Sequence, residues 1–88
     1  MSFLIVLTEA GRDALLREYV RRHGIARERG DDRSLRILSA RAAEIGLAAG
    51  RSVALEADEY SIATAADAEA GRRIPLTNFD AQTWRRSA

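Results

Sequence analysis

The chain has 88 residues, 14 basic and 13 acidic side chains, a net charge of +1, one histidine and no cysteine. A single domain, 1–88, of this size buries only about 60–65% of the surface its unfolded form exposes, and neither a disulfide nor a histidine–cysteine zinc site is available to brace it. All 14 cations are arginines, which removes Schiff-base, phosphate-loop and other chemistry that needs a lysine amine.

The first element is the apolar run Phe3-Leu4-Ile5-Val6-Leu7, which reads as a strand covered on both faces, although five residues fit a helix equally well. Thr8 follows as an N-cap with Glu9 beside the positive end of a helix dipole. The spacing of Leu15, Leu16, Tyr19 and Val20 predicts a helix from about Glu9 to His23, stopped by Gly24. Residues Ile25 to Arg33 carry charge and no period, and read as a mobile loop or a short helical extension.

The second helix has the clearest pattern. Leu35, Leu38, Ala42, Ile45 and Ala49 recur at spacings of three and four, behind a cap at Asp32 or Ser34 and ahead of a stop at Gly50. From Arg51 the period changes to two: Val53, Leu55 and Ala57, then Tyr60, Ile62 and Thr64 with the phase shifted across Asp58-Glu59. This predicts a hairpin, with a helix from Asp58 to Ala70 as the alternative. Gly71 turns the chain, Pro75 makes Ile74–Leu76 an edge strand or extended arm, and Thr77 with Asp80 predicts a capped short final helix. On that helix Phe79 and Trp84 lie about 140° apart, so one of them, Trp84 beside Arg85 and Arg86, is expected to face outward. The fold class expected is α+β, in the order strand, helix, loop, helix, hairpin, extended arm, short helix.

Several residues invite a chemical role. His23 suits a general base or a pH sensor, but at the end of a helix it more simply caps carbonyls. Glu56, Asp58 and Glu59 offer oxygens to a hard cation without metal-ligand spacing, and a solvated turn explains them as well. No Gly-x-Ser-x-Gly elbow or glycine-rich phosphate loop is present. The chain is therefore read as not an enzyme, with no metal and no cofactor.

Charge is unevenly spread. Arg21, Arg22, Arg27, Arg29, Arg33, Arg36 and Arg41 crowd the middle, whereas Glu56 to Glu69 holds five acids and no base. Arg27, Arg29, Arg33 and Arg36, together with Trp84, Arg85 and Arg86, are the expected binding residues, because arginine and tryptophan dominate binding energy at interfaces. Ala42, Gly46, Leu47 and Val53 loosely follow the spacing of a helix-turn-helix, so the unit at residues 35–53 resembles that motif and implies DNA binding. One amphipathic helix that tolerates Gly46 explains the same unit.

The reading is a small non-catalytic binding protein: an inhibitor, adaptor or assembly factor acting through protein–protein contacts, of the kind bacterial operons, phages and other mobile elements encode. A DNA-binding regulator is the alternative, and an enzyme assembled at a dimer interface stands third. The thin core, with 17 alanines among the apolar residues, predicts a homodimer. No run of about 18 apolar residues exists to span a membrane, and a chain without cysteine suits the cytoplasm.

Overall fold

The computed structural model describes residues 2–73, a small α+β domain of β1 (Ser2–Val6), α1 (Glu9–Arg29), α2 (Asp32–Gly46), β2 (Ser52–Glu56) and α3 (Ala57–Arg73). β1 and β2 form one antiparallel pair in continuous register, from Ser2 opposite Glu56 to Val6 opposite Ser52. Alternation then decides the two faces. Phe3, Ile5, Val53 and Leu55 turn toward the helices, with Phe3 stacked on Tyr60 of α3 at 4.5 Å between ring centres, while Leu4 and Val6 stay 75% and 62% exposed on the other side. Among the described residues β1 is thus covered on one face only, contrary to the sequence expectation, because their helices all lie on one side of a two-stranded sheet.

The core gathers Leu7, Leu15, Tyr19, Ile45, Ala48, Leu55 and Ala63. Thr8 caps α1 as expected, its hydroxyl accepting the Gly11 N–H at 3.0 Å and donating to Asp67 of α3. Gly11 lets the two helices meet, since a Cβ there would stand 3.3 Å from that of Ala63.

α1 runs straight through Gly24 and ends six residues later than the sequence suggests. The stop is Gly30, at φ 67°: its N–H bonds to the Arg27 carbonyl at 3.1 Å and the next N–H, of Asp31, reaches Ala26 at 2.9 Å. That is the Schellman arrangement, which needs a left-handed residue. His23 is consequently a mid-helix residue and caps nothing. Gly24 sits in a helix interior with nothing within 4 Å of an added Cβ. Gly24→Ala should therefore stabilise the fold by about 0.5–1 kcal/mol, a rise of roughly 2–8 °C in Tm. A calorimetric scan showing a lower Tm would contradict a continuous α1.

The cap of α2 is Asp31 rather than Asp32 or Ser34. Its carboxylate accepts the Ser34 N–H at 3.1 Å and the Ser34 hydroxyl at 2.6 Å. α2 stops at Gly46, short of the expected Gly50, because the chain must turn back for β2. Gly50 makes that turn at φ 79°, its N–H bonding to the Leu7 carbonyl at 2.7 Å. No second helix follows Gly46 within residues 47–56, and Val53 pairs with Ile5 in the sheet, so the helix-turn-helix resemblance at 35–53 does not hold structurally. The hairpin at 53–64 is likewise corrected: β2 takes β1 as its partner, and Ala57 begins α3. The expectations at Ile74–Leu76, Thr77–Asp80, Phe79 and Trp84 lie outside the described residues.

Candidate functional site

α3 covers only part of the α1–α2 hairpin. Its first turn touches α1 through Asp58, which accepts from Arg22 Nη2 at 3.0 Å. Beyond that contact, among the described residues, the last two turns of α1 pack on the first half of α2. One flank there is left as an open cleft of about 290 Å³. Ile25, Ala26, Ile37 and Leu38 make its floor, and Arg22 and Arg29 stand at its rim. Ile25 and Ile37 remain 36% and 57% exposed, so apolar surface lies open beside guanidinium groups.

The four arginines expected to bind are all exposed and surround this tip, but they are not equivalent. Arg27 and Arg29 occupy the last turn of α1, where the negative end of the helix dipole favours cations. Arg33 and Arg36 lie on the first turns of α2. Only Arg29 lines the cleft. It faces Asp31, whose carboxyl is held below its usual value first by the Ser34 hydroxyl, then by the Ser34 N–H, with Arg29 adding its charge. Among the described residues Arg27, Arg33 and Arg36 enter no ion pair. Trp84, Arg85 and Arg86 lie outside the described residues.

Of the cleft residues only Arg29 was expected as a binding position; Arg22, Ile25 and Ile37 are among those the sequence did not mark. Ile37 did leave a signal, since on a helix it stands about 100° from Leu38, 140° from Ala42 and 160° from Leu35, and an isoleucine off the apolar stripe has no core to enter. Ile25 fell in the stretch read as aperiodic, which hid it.

A second polar cluster is buried between α1, α2, α3 and β2. Glu59, 5% exposed, accepts from Arg41 Nε at 2.9 Å and Nη2 at 3.0 Å, from the Glu56 N–H at 2.9 Å, and from the Tyr19 hydroxyl. Arg41 also reaches the Ala54 carbonyl at 2.7 Å and Glu44 at 3.0 Å. Burial alone would push the Glu59 carboxyl up; the hydrogen bonds from Arg41, Tyr19 and the Glu56 N–H outweigh it and hold the group at about 2. Burial, and then the hydrogen bond to Glu59, pushes the Tyr19 phenol up to about 12. Neither group exchanges a proton near neutrality, so the cluster braces the helices against β2 rather than performing acid–base work.

Asp58 and Glu59, weighed as oxygen donors for a cation, are thus engaged with Arg22 and Arg41. His23 lies half-buried on the opposite flank of the hairpin, in a groove with Leu16, Val20 and Ala42. The tip presents apolar contact beside the guanidinium groups of Arg22 and Arg29, with the Asp31–Ser34 hydrogen bond also lining the cleft. Comparison with known proteins supplies no relative to set beside this geometry, since the chain matches no family model, no curated protein and no solved structure.

Proposed function

We propose that this protein is a small non-catalytic binding protein, an inhibitor, adaptor or assembly factor, that engages another protein through the tip of its α1–α2 hairpin. The observation that carries the proposal is the cleft itself, in which an exposed isoleucine floor meets Arg22 and Arg29. Such a surface suits a peptide segment with an apolar side chain flanked by carboxylates, because arginine pairs with a carboxylate through a planar fork. Arg27, Arg33 and Arg36 around it would steer an acidic partner toward the tip.

A displayed-peptide selection tests this directly. Selection against the wild-type protein should enrich segments that combine Asp or Glu with Leu, Ile or Phe, and Arg29→Glu with Ile37→Asp should weaken their binding at least tenfold, as expected from about 1.4 kcal/mol or more of lost contact. The melting temperature should fall by only a few degrees, because both positions are exposed and the chief loss is the favourable Arg29 charge at the end of α1. Enrichment of peptides indifferent to the double variant would remove the cleft from consideration.

A DNA-binding regulator is the second reading, favoured by the three exposed, unpaired arginines. It predicts duplex binding that falls steeply with salt, and it must do without the helix-turn-helix. The main proposal also includes a cytoplasmic setting and self-association, since an isolated two-stranded sheet with an open face is a marginal structure. Among the described residues no helix is long and apolar enough to cross a membrane.

A further inference from the structure

The two edges of the sheet are treated differently. In an antiparallel ladder the N–H and C=O groups of alternate residues point to opposite sides. Leu7, just past β1, donates its N–H to Arg51 at 3.0 Å and accepts from Gly50, so Phe3 and Ile5 share that direction and Ser2, Leu4 and Val6 aim their backbone groups away from β2. On the far edge the corresponding groups of β2 are occupied. The Ala54 carbonyl takes Arg41 Nη2 at 2.7 Å, and the Glu56 N–H gives to Glu59 at 2.9 Å. On the β1 edge no hydrogen bond among the described residues engages Leu4 or Val6.

Proteins ordinarily protect an edge strand with charge, proline or a bulge. β1 has none of these: Ser-Phe-Leu-Ile-Val is uncharged and pairs with β2 without interruption. Leu4 and Val6 stand exposed on the outer face beside that open edge.

We propose that β1 pairs antiparallel with β1 of a second copy of this chain, about a two-fold axis at Leu4, giving a four-stranded sheet in the order β2, β1, β1 of the second copy, β2 of the second copy. The second copy is the occupant that fits because the strand is self-complementary. Leu4 meets Leu4 and Ser2 meets Val6, with no like charges opposed. Every outward N–H and C=O of Ser2, Leu4 and Val6 then finds a partner, for up to about six ladder hydrogen bonds. The contact is short, below the roughly 1,200 Å² of standard stable interfaces, so the dimer should dissociate in the micromolar range. This inference extends only the self-association part of the proposed function and does not depend on the cleft.

Sedimentation of the full chain between about 5 μM and 1 mM should show conversion from 9.7 kDa toward twice that mass. Leu4→Lys places two like charges directly opposite each other across the axis, and Leu4→Pro deletes only an N–H that points away from β2. Either should raise the dissociation constant at least tenfold, with circular dichroism unchanged. Amide hydrogen exchange of the wild-type protein gives an independent readout that needs no variant: Leu4 and Val6 should become protected as concentration rises. Arg29→Glu with Ile37→Asp should leave the equilibrium alone, which separates this interface from the cleft. A wild-type chain that stays at 9.7 kDa throughout, a dimer indifferent to both Leu4 variants, or exchange at Leu4 and Val6 that ignores concentration would each overturn the pairing.

Discussion

Glu59→Ala should cost this protein about 3–5 kcal/mol, the range found when one partner of a buried ion pair is removed. Arg41 would keep only the Ala54 carbonyl and the exposed Glu44 carboxylate, beside the space Glu59 filled, and Tyr19 and the Glu56 N–H would each lose an acceptor. A domain this small holds about 5–10 kcal/mol in total, so the variant should lose between about a third and all of its stability. Urea titration followed by circular dichroism measures the loss. The comparison that gives it meaning is the triple variant Tyr19→Phe, Arg41→Met, Glu59→Leu. Replacing a whole buried polar cluster by apolar groups is often neutral, so it should recover most of the stability. A triple variant as weak as Glu59→Ala would place the cost in packing instead of in the stranded charge.

Acid should undo the same brace. The Glu59 carboxyl titrates at about 2 in the folded protein against 4.5 for an unperturbed group. A group depressed in this way contributes stability that is fully present above the unfolded value and is lost as pH falls through the folded one. Between about pH 4.5 and pH 2 some 3 kcal/mol should therefore disappear. Glu18, also held at about 2 by hydrogen bonds from Arg21 and then Arg22, acts in the same direction. Urea midpoints at pH 7, 4.5 and 2.5 should be level over the first interval and fall over the second. In the triple variant the fall should shrink to what Glu18 and the other surface acids supply; a fall of full size there would mean that Glu59 is not its source.

The elements that sequence periodicity describes well are those whose apolar residues have one possible use. The stripe of α2 turns Leu35, Leu38, Ala42 and Ile45 inward as its spacing predicts, with Ile45 wholly buried. Where two readings competed, tertiary context decided. Gly24 and Gly30 are equal as helix stops in a one-dimensional reading, but only Gly30 is followed by a cap, Asp31, that restarts the chain as α2. Residues 53–64 alternate like a hairpin, yet β2 finds its partner at the far end of the sequence, which no local pattern reveals.

The brace was legible in part. Once 57–73 is written as a helix, Glu59 falls on one face with Ile62, Ala63, Ala66 and Ala70, and an acid on an apolar face demands a buried cation. The hairpin reading concealed that demand, and Arg41 was counted with the basic middle. Of the tip, sequence identified the crowd of arginines; the cleft depends on where α3 begins, and that is a property of the assembled helices.

Strand β1 is the first element of the chain and β2 the fourth, so during synthesis β1 waits until everything through Glu56 has emerged. The α1–α2 hairpin, whose contacts are local, can form in the meantime, because loop closure is cheapest for segments near in sequence. The sheet is expected to close after that, since it needs Gly50 to return β2 to Leu7, and α3 to lock it from the side with Glu59. For that interval the uncharged Ser-Phe-Leu-Ile-Val segment is exposed on both edges and both faces, a surface open to intermolecular strand pairing until β2 arrives.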